Sequence, residues 1–200
     1  MPFFNTIIPI ISGNSGWPIP DGTPAEMVAV IKQARAGATE ITLPVLSDLR
    51  IPDHAFDGCT KLRKVTFPAG TSGYIIGESA FNGCANLRTI VNDMYIGCIK
   101  TKAFYGCNSF SLNFYKLWWV YDDAFDGDDV SLDFSNVGSL TIRPKAFEGM
   151  THVTINTGKY YNSDAPWGAN SGTLKYSARQ SSYPYGWYDV SKTIINGQLM

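Results

Sequence analysis

Residues 62–84 read LRKVTFPAGTSGYIIGESAFNGC, and this stretch decides the fold. Leu62, Val65 and Phe67 are spaced as a short strand with one apolar side, and Pro68 ends it. Gly70 and Gly73 then break the chain before a second short apolar run ending at Ile76. Four residues later comes Ala80-Phe81-Asn82-Gly83-Cys84. Gly83 suits a chain reversal that needs positive φ, and Ala80 leaves room for the bend while Phe81 fills a core.

The Ala-Phe signature recurs at Ala55-Phe56, Ala103-Phe104, Ala124-Phe125 and Ala146-Phe147, with Phe-to-Phe spacings of 25, 23, 21 and 22 residues. A β-branched residue stands four positions before each Ala: Ile51, Ile76, Ile99, Val120 and Ile142. A short alternating strand follows each block, as in Phe110-x-Leu112-x-Phe114 and Val130-x-Leu132-x-Phe134. A period of this length marks a coil that cannot bury its apolar side alone but shares a core with stacked neighbours. The expectation is a mostly β solenoid of about five coils.

These motifs resemble the leucine-rich repeats of the BspA type, whose units run roughly L-x-x-L-x-L-P, then I-G-x-x-A-F-x-G-C. The resemblance covers about residues 38–155 and is closest over Leu62 to Gly83. The fourth and fifth units depart from it, with Asp128 and Met150 at the Cys position and no Pro after the strand. It implies a leucine-rich-repeat solenoid acting as a binding module, commonly a bacterial surface adhesin.

The flanks divide the chain into an extended arm (1–22), a capping helix (23–37), the solenoid (38–158) and a C-terminal cap and tail (159–200). Thr23-Pro24-Ala25-Glu26 reads as a capping box, and Met27, Val28, Val30, Ile31 and Ala34 are helically spaced before Gly37. This predicts a helix over about Pro24 to Ala36. Asp164 to Ala169 followed by Thr173 to Tyr176 resembles a terminal cap associated with repeat proteins of gut bacteria and their bacteriophages. The aromatic tail from Ser177 to Met200 reads as an extra strand pair or as an arm that orders on a partner.

Composition excludes several functions. The chain of 200 residues has 16 Lys+Arg against 17 Asp+Glu, a net charge of −1. That balance offers no footprint for a nucleic-acid backbone. No run of 18 or more apolar residues is present, so membrane insertion is not expected. Charged residues are only 16%, below the usual quarter, and 44% are apolar. From residue 50 to 120 there are eight basic and four acidic residues, and from 121 to 150 two and seven, a dipole along the stack.

Catalytic signatures are missing. His54 and His152 read as surface residues, and no nucleophile-elbow, zincin, Walker or dinucleotide pattern occurs. No cofactor or metal is expected. Cys59, Cys84 and Cys107 share one repeat position, which favours buried thiols over zinc, and disulfides would pair only two of the three. The acidic run from Asp122 to Asp133 reads as a solvated edge, since it lacks calcium-loop spacing.

Two outward rows are candidates for contact with a partner. The first flanks the inward residue of the longer strands: Lys64/Thr66, Thr89/Val91, Ser111/Asn113, Ser131/Asp133 and His152/Thr154. The second precedes the inward Ile or Val: Arg50, Ile75, Cys98, Trp119 and Thr141, with Tyr121 nearby. If this row faces out, Ile75, Cys98 and Trp119 form an apolar patch. A shift of one residue would instead bury Trp119 and expose Trp118. The candidate binding residues are Lys64, Thr66, Val91, Asn113, Asp133, Ile75, Trp119 and Tyr121, with Trp187 in the tail. The expected partner is a protein or a glycan. With no signal sequence or anchor visible, the setting expected is a virion, as a phage tail or head-decoration protein held to copies or neighbours through its termini. A bacterial cell surface is the alternative.

Overall fold

The computed structural model describes residues 16–70, 73–127, 129–159, 163–179 and 187–200. Helix α1 (Ala25–Arg35) precedes a right-through stack of coils. The first coil holds β1 (Glu40–Thr42) and β2 (Arg50–Ile51), and the second β3 (Lys64–Thr66) and β4 (Tyr74–Ile76). The third holds β5 (Thr89–Val91), β6 (Ile96–Ile99) and the turn strand β7 (Phe104–Tyr105). The fourth holds β8 (Ser111–Asn113), β9 (Trp119–Val120) and β10 (Phe125–Asp126), and the fifth β11 (Ser131–Asp133) and β12 (Thr141–Ile142). A sixth coil, one more than the Ala-Phe count gives, opens with β13 (Val153–Asn156).

Like strands of successive coils pair in parallel. The front of the stack is a sheet β1-β3-β5 and a sheet that begins β8-β11-β13, while the back is β2-β4-β6-β9-β12. Between front and back runs the core. Phe56, Phe81, Phe104, Phe125 and Phe147 are fully buried and form a column with ring centroids 5.0, 5.3, 5.4 and 5.8 Å apart. The turn backbones lock the same column: Phe56, Phe81, Phe104 and Phe125 each donate N–H to the carbonyl of the next coil's signature Ala. Gly58, Gly83 and Gly106 sit at φ 70, 68 and 70°, a conformation that disfavours any side chain. More unexpectedly, His54, Ser79, Lys102 and Asp123, each just before the signature Ala, also take positive φ of 53–56°. His and Asp are enriched in this conformation, whereas nothing about Ser79 or Lys102 announced the turn.

All four cysteines are buried free thiols. Cys84 and Cys107 each donate Sγ–H to the carbonyl of the preceding coil's Phe, Phe56 and Phe81, at 3.2 Å. Burial pushes Cys59 up to about 11 and Cys107 up to about 12, so both stay protonated and unreactive near neutral pH.

The front ladder is not continuous. After β5, Asn92 turns left-handed at φ 63° and Asp93–Tyr95 form a 3₁₀ turn. Asp93 Oδ2 then accepts the Asn113 N–H at 2.6 Å, a bond a strand carbonyl would otherwise supply, and Asn92 Nδ2 donates to Phe67 O at 2.7 Å. The expected last rung is also displaced. Leu132 pairs with Ile155, so Thr154 and Asn156, rather than His152 and Thr154, continue the Ser131/Asp133 columns. His152 lies in a left-handed turn at φ 53° before β13.

Both ends are covered. Met27, Ile31 and Ala34 of α1 pack on the first coil. The capping box does not form: Pro24 is the N-cap, and the Thr23 hydroxyl instead donates to Pro20 O at 2.7 Å. Of the expected N-terminal arm, residues 1–15 lie outside the described residues. The remainder is fastened: Trp17 stacks on His54 at 4.0 Å, and Arg35 donates to the carbonyls of Trp17, His54 and Ala55. His54 is therefore a packed residue, also bonded to Asp57 at 3.0 Å, and not a plain surface one.

At the other end Trp167 is fully buried, edge-on to Phe147 at 6.0 Å, and its carbonyl accepts the Phe147 N–H. β14 (Ser171–Arg179) pairs in parallel with β13 and in antiparallel with β15 (Trp187–Ile195), and β16 (Gln198–Leu199) finishes the sheet. The described part of the tail is thus a strand pair.

Candidate partner-binding face

The back sheet aligns the expected row. Arg50 pairs with Ile75, Ile75 with Cys98, Cys98 with Trp119, and Trp119 with Thr141. Ile51, Ile76, Ile99, Val120 and Ile142 point inward and are buried, which fixes the row on the outer side. It is less prominent than a fully outward patch. Cys98 is only 5% exposed and forms the floor, while Ile75 and Trp119 are half-buried.

Trp118 is the more exposed indole, at 42%, and its position has a local cause. The pairing of β4 with β6 slips between Tyr74 and Ile75, leaving Gly97 as an extra residue. Trp118 lies across this bulge. A Cβ on Gly97 would stand 2.2 Å from the tip of that indole and 2.8 Å from Gly73 Cα. Only glycine leaves the indole its bed.

A second outward column stands one strand step away. Lys100 N–H donates to Ile76 O, Tyr121 N–H to Ile99 O, and Arg143 N–H to Val120 O, so these three residues follow one another up the stack. Their side chains interlock. Lys100 Nζ lies 4.2 Å from the Tyr121 ring centre and donates to Tyr121 Oη at 3.2 Å. The Arg143 guanidinium carbon is 5.6 Å from the Trp119 ring and 5.7 Å from the Tyr121 ring. The two rings are 5.4 Å apart. The three cation–ring separations fall within the range of cation–π attraction. Lys100 and Arg143 were absent from the expected contact residues. Reading the residue after each inward Ile or Val, as well as the one before, would have found them.

The other expected contact residues lie elsewhere. Lys64, Thr66 and Val91 share the β3–β5 front sheet, where Lys64 already bonds Glu40 across coils at 3.2 Å. Asn113 and Asp133 pair across β8 and β11 beyond the Asp93 break. The Asp133 carboxylate accepts the Ser135 N–H at 2.8 Å. Trp187 is on the terminal hairpin, 51% exposed, with Lys159 Nζ 5.0 Å from its ring. The structure thus gathers Ile75, Trp119 and Tyr121 on one face and separates them from the other six. Among the described residues, no three His, Cys, Asp or Glu side chains are placed to hold a metal ion. None of the described helices is long and apolar enough to cross a membrane.

No curated protein and no solved structure matches this chain. Residues 49–163, more than half of its length, match the model of the BspA type leucine rich repeat region in six copies, in agreement with the six coils, and the protein belongs to that family.

Proposed function

We propose that this protein is a non-enzymatic binding module that presents the back face of coils two to five to a partner protein or glycan. The observation that carries the reading is the juxtaposition of Ile75 and Trp119 with Lys100, Tyr121 and Arg143 on one rigid sheet. Side chains held by neighbouring coils lose little freedom on binding, which favours recognition without rearrangement. The family supports the same conclusion, since leucine-rich repeats generally mediate protein binding.

The setting we propose is a virion, where the module is held by its C-terminal hairpin. Among the described residues, no strand pairs with the outer edge of β15 from Trp187 to Lys192, and Trp187 and Tyr188 are more than half exposed beside it. An exposed edge flanked by aromatics is a ready attachment for a neighbouring chain or copy. A bacterial cell surface, the usual place of BspA-type adhesins, is the second reading and would use the same back face.

Site-specific photocross-linking tests the face. A benzophenone side chain at position 75 or 141 should yield an adduct with a foreign protein or glycan on intact particles or cells. The same group at position 66 or 113 should not. Adducts confined to the front positions would sink the proposal, and antibody labelling of purified virions against cell envelopes separates the two settings.

A further inference from the structure

The cation-bearing column of the back face specifies a charge for the partner. Elsewhere several of the described basic residues are engaged by the chain itself. Lys64 bonds Glu40 and Lys145 bonds Glu148, while Arg35 and Arg88 each hold three backbone carbonyls. Lys100 and Arg143 are different. Neither has a carboxylate within 4.0 Å among the described residues, and both stand against the same ring, Tyr121, whereas Lys102 and Lys159 each meet a separate ring of their own. The carboxylates nearest in sequence are engaged elsewhere: Asp93 accepts the Asn113 N–H at 2.6 Å, Asp122 accepts the Lys145 N–H at 3.2 Å, and Glu148 pairs with Lys145 Nζ at 3.1 Å.

Tyr121 completes the arrangement. Its oxygen accepts from Lys100, which leaves its own O–H to donate outward. An ammonium with N–H groups to spare, a phenol O–H and a guanidinium from three successive coils therefore stand in one row, the set of donors a carboxylate takes up. Beside that row lie the aliphatic Ile75, the Cys98 floor and the indoles of Trp118 and Trp119. Sugars stack on aromatic rings, but the faces of Tyr121 and Trp119 are already met by Lys100 and Arg143. An aliphatic side chain such as Ile75 offers a sugar little, whereas it suits an apolar protein side chain.

We infer that the face docks a protein segment in which Asp or Glu side chains stand next to bulky apolar ones, the acids on Lys100, Tyr121 and Arg143 and the apolar groups on Ile75, Trp118 and Trp119. This inference rests on the back-face reading above and adds the chemistry of the partner to it.

The test uses the full chain and synthetic peptides in which Glu alternates with Leu and Phe, followed by fluorescence anisotropy. Control peptides replace Glu by Lys or the apolar residues by Ser, and sialylated and uronic oligosaccharides form a separate arm. Both controls should bind at least about tenfold more weakly than the acidic–apolar peptide. The double variant K100E/R143E should lose about tenfold or more and Y121F a smaller factor, while K64E on the front face is unchanged. Unchanged denaturation midpoints show that the variants fold. The inference is overturned if no acidic–apolar peptide binds, if the Lys peptides bind equally, or if K100E/R143E removes saccharide binding instead. Acidic-peptide binding lost in K64E alone also overturns it and places the binding surface on the front, against the back-face reading as well. Saccharide binding lost in K100E/R143E leaves that reading standing.

Discussion

The Ala-Phe side of each coil and its back row are built by the same winding, yet they obey different rules. On the turn side each of the first five coils repeats the same atoms: a buried Phe, a small Ala and, in the first three, a left-handed Gly followed by a buried thiol. On the back row only the inward Ile or Val repeats, while the outward positions run Arg, Ile, Cys, Trp, Thr in one column. Stacking demands uniformity wherever a coil touches the next through its core. Freed from that demand, the outward back row can vary, and its variation carries the charges and rings of the proposed binding face.

The largest test of this contrast removes one member from each side. Phe104 is fully buried between Phe81 and Phe125, so F104A should cost about 3–5 kcal/mol, read from denaturant midpoints. W119A removes a larger side chain that is only half-buried, and it should cost clearly less. Equal losses would mean the back row is core and the division between the two sides is wrong.

A smaller effect probes the break in the front ladder. D93A leaves the Asn113 N–H without its acceptor and should cost about 1–3 kcal/mol at neutral pH. Burial, opposed by the backbone N–H bonds it receives, raises the Asp93 carboxyl above its ordinary range. A raised carboxyl binds its proton more readily folded than unfolded, so its ionised form weakens the fold above the folded pKa. That penalty fades as pH falls through the folded pKa, and the wild type should gain on D93A as the solution is acidified from neutral. A gain for D93A in acid would show that the ionised carboxylate is a net stabiliser.

The smallest of the three sharpens the back row itself. G97A drives a methyl into the Trp118 tip and the Gly73 backbone, costing about 1 kcal/mol or somewhat more. Because the indole tip can swing aside, the clearer signal is Trp118 leaving its bed, seen as a shift in tryptophan emission. Unchanged emission would show that the bulge does not set the indole.

The core was legible because its constraint is local and recurrent. Phe56 through Phe147 are spaced by the coil length, and the thiols follow three residues behind them. The sixth coil was hidden because Trp167, not an Ala-Phe pair, takes its place against Phe147. The front break was hidden too, since nothing in Asn92 to Tyr95 announces that a carboxylate will stand in for a strand carbonyl. Of the candidate face, Ile75, Trp119 and Tyr121 could be read from their place relative to the inward residues. Lys100 and Arg143, each one residue after an inward Ile, could be placed on the same face by the same rule, but the sequence does not tell that their side chains reach across coils to the rings.

The backbone bonds that join coil to coil, Phe56 to Ala80 and Phe81 to Ala103 among them, lie along the stack axis. Tension applied between the two ends therefore loads each coil's bonds lengthwise, and the coils part in series instead of sharing the load. Each release frees one period of about 22 residues, roughly 70–80 Å of chain at full extension. A binding module tethered at one end would then give way coil by coil under strain. It would act as an extensible leash, with the back face of the remaining coils still intact.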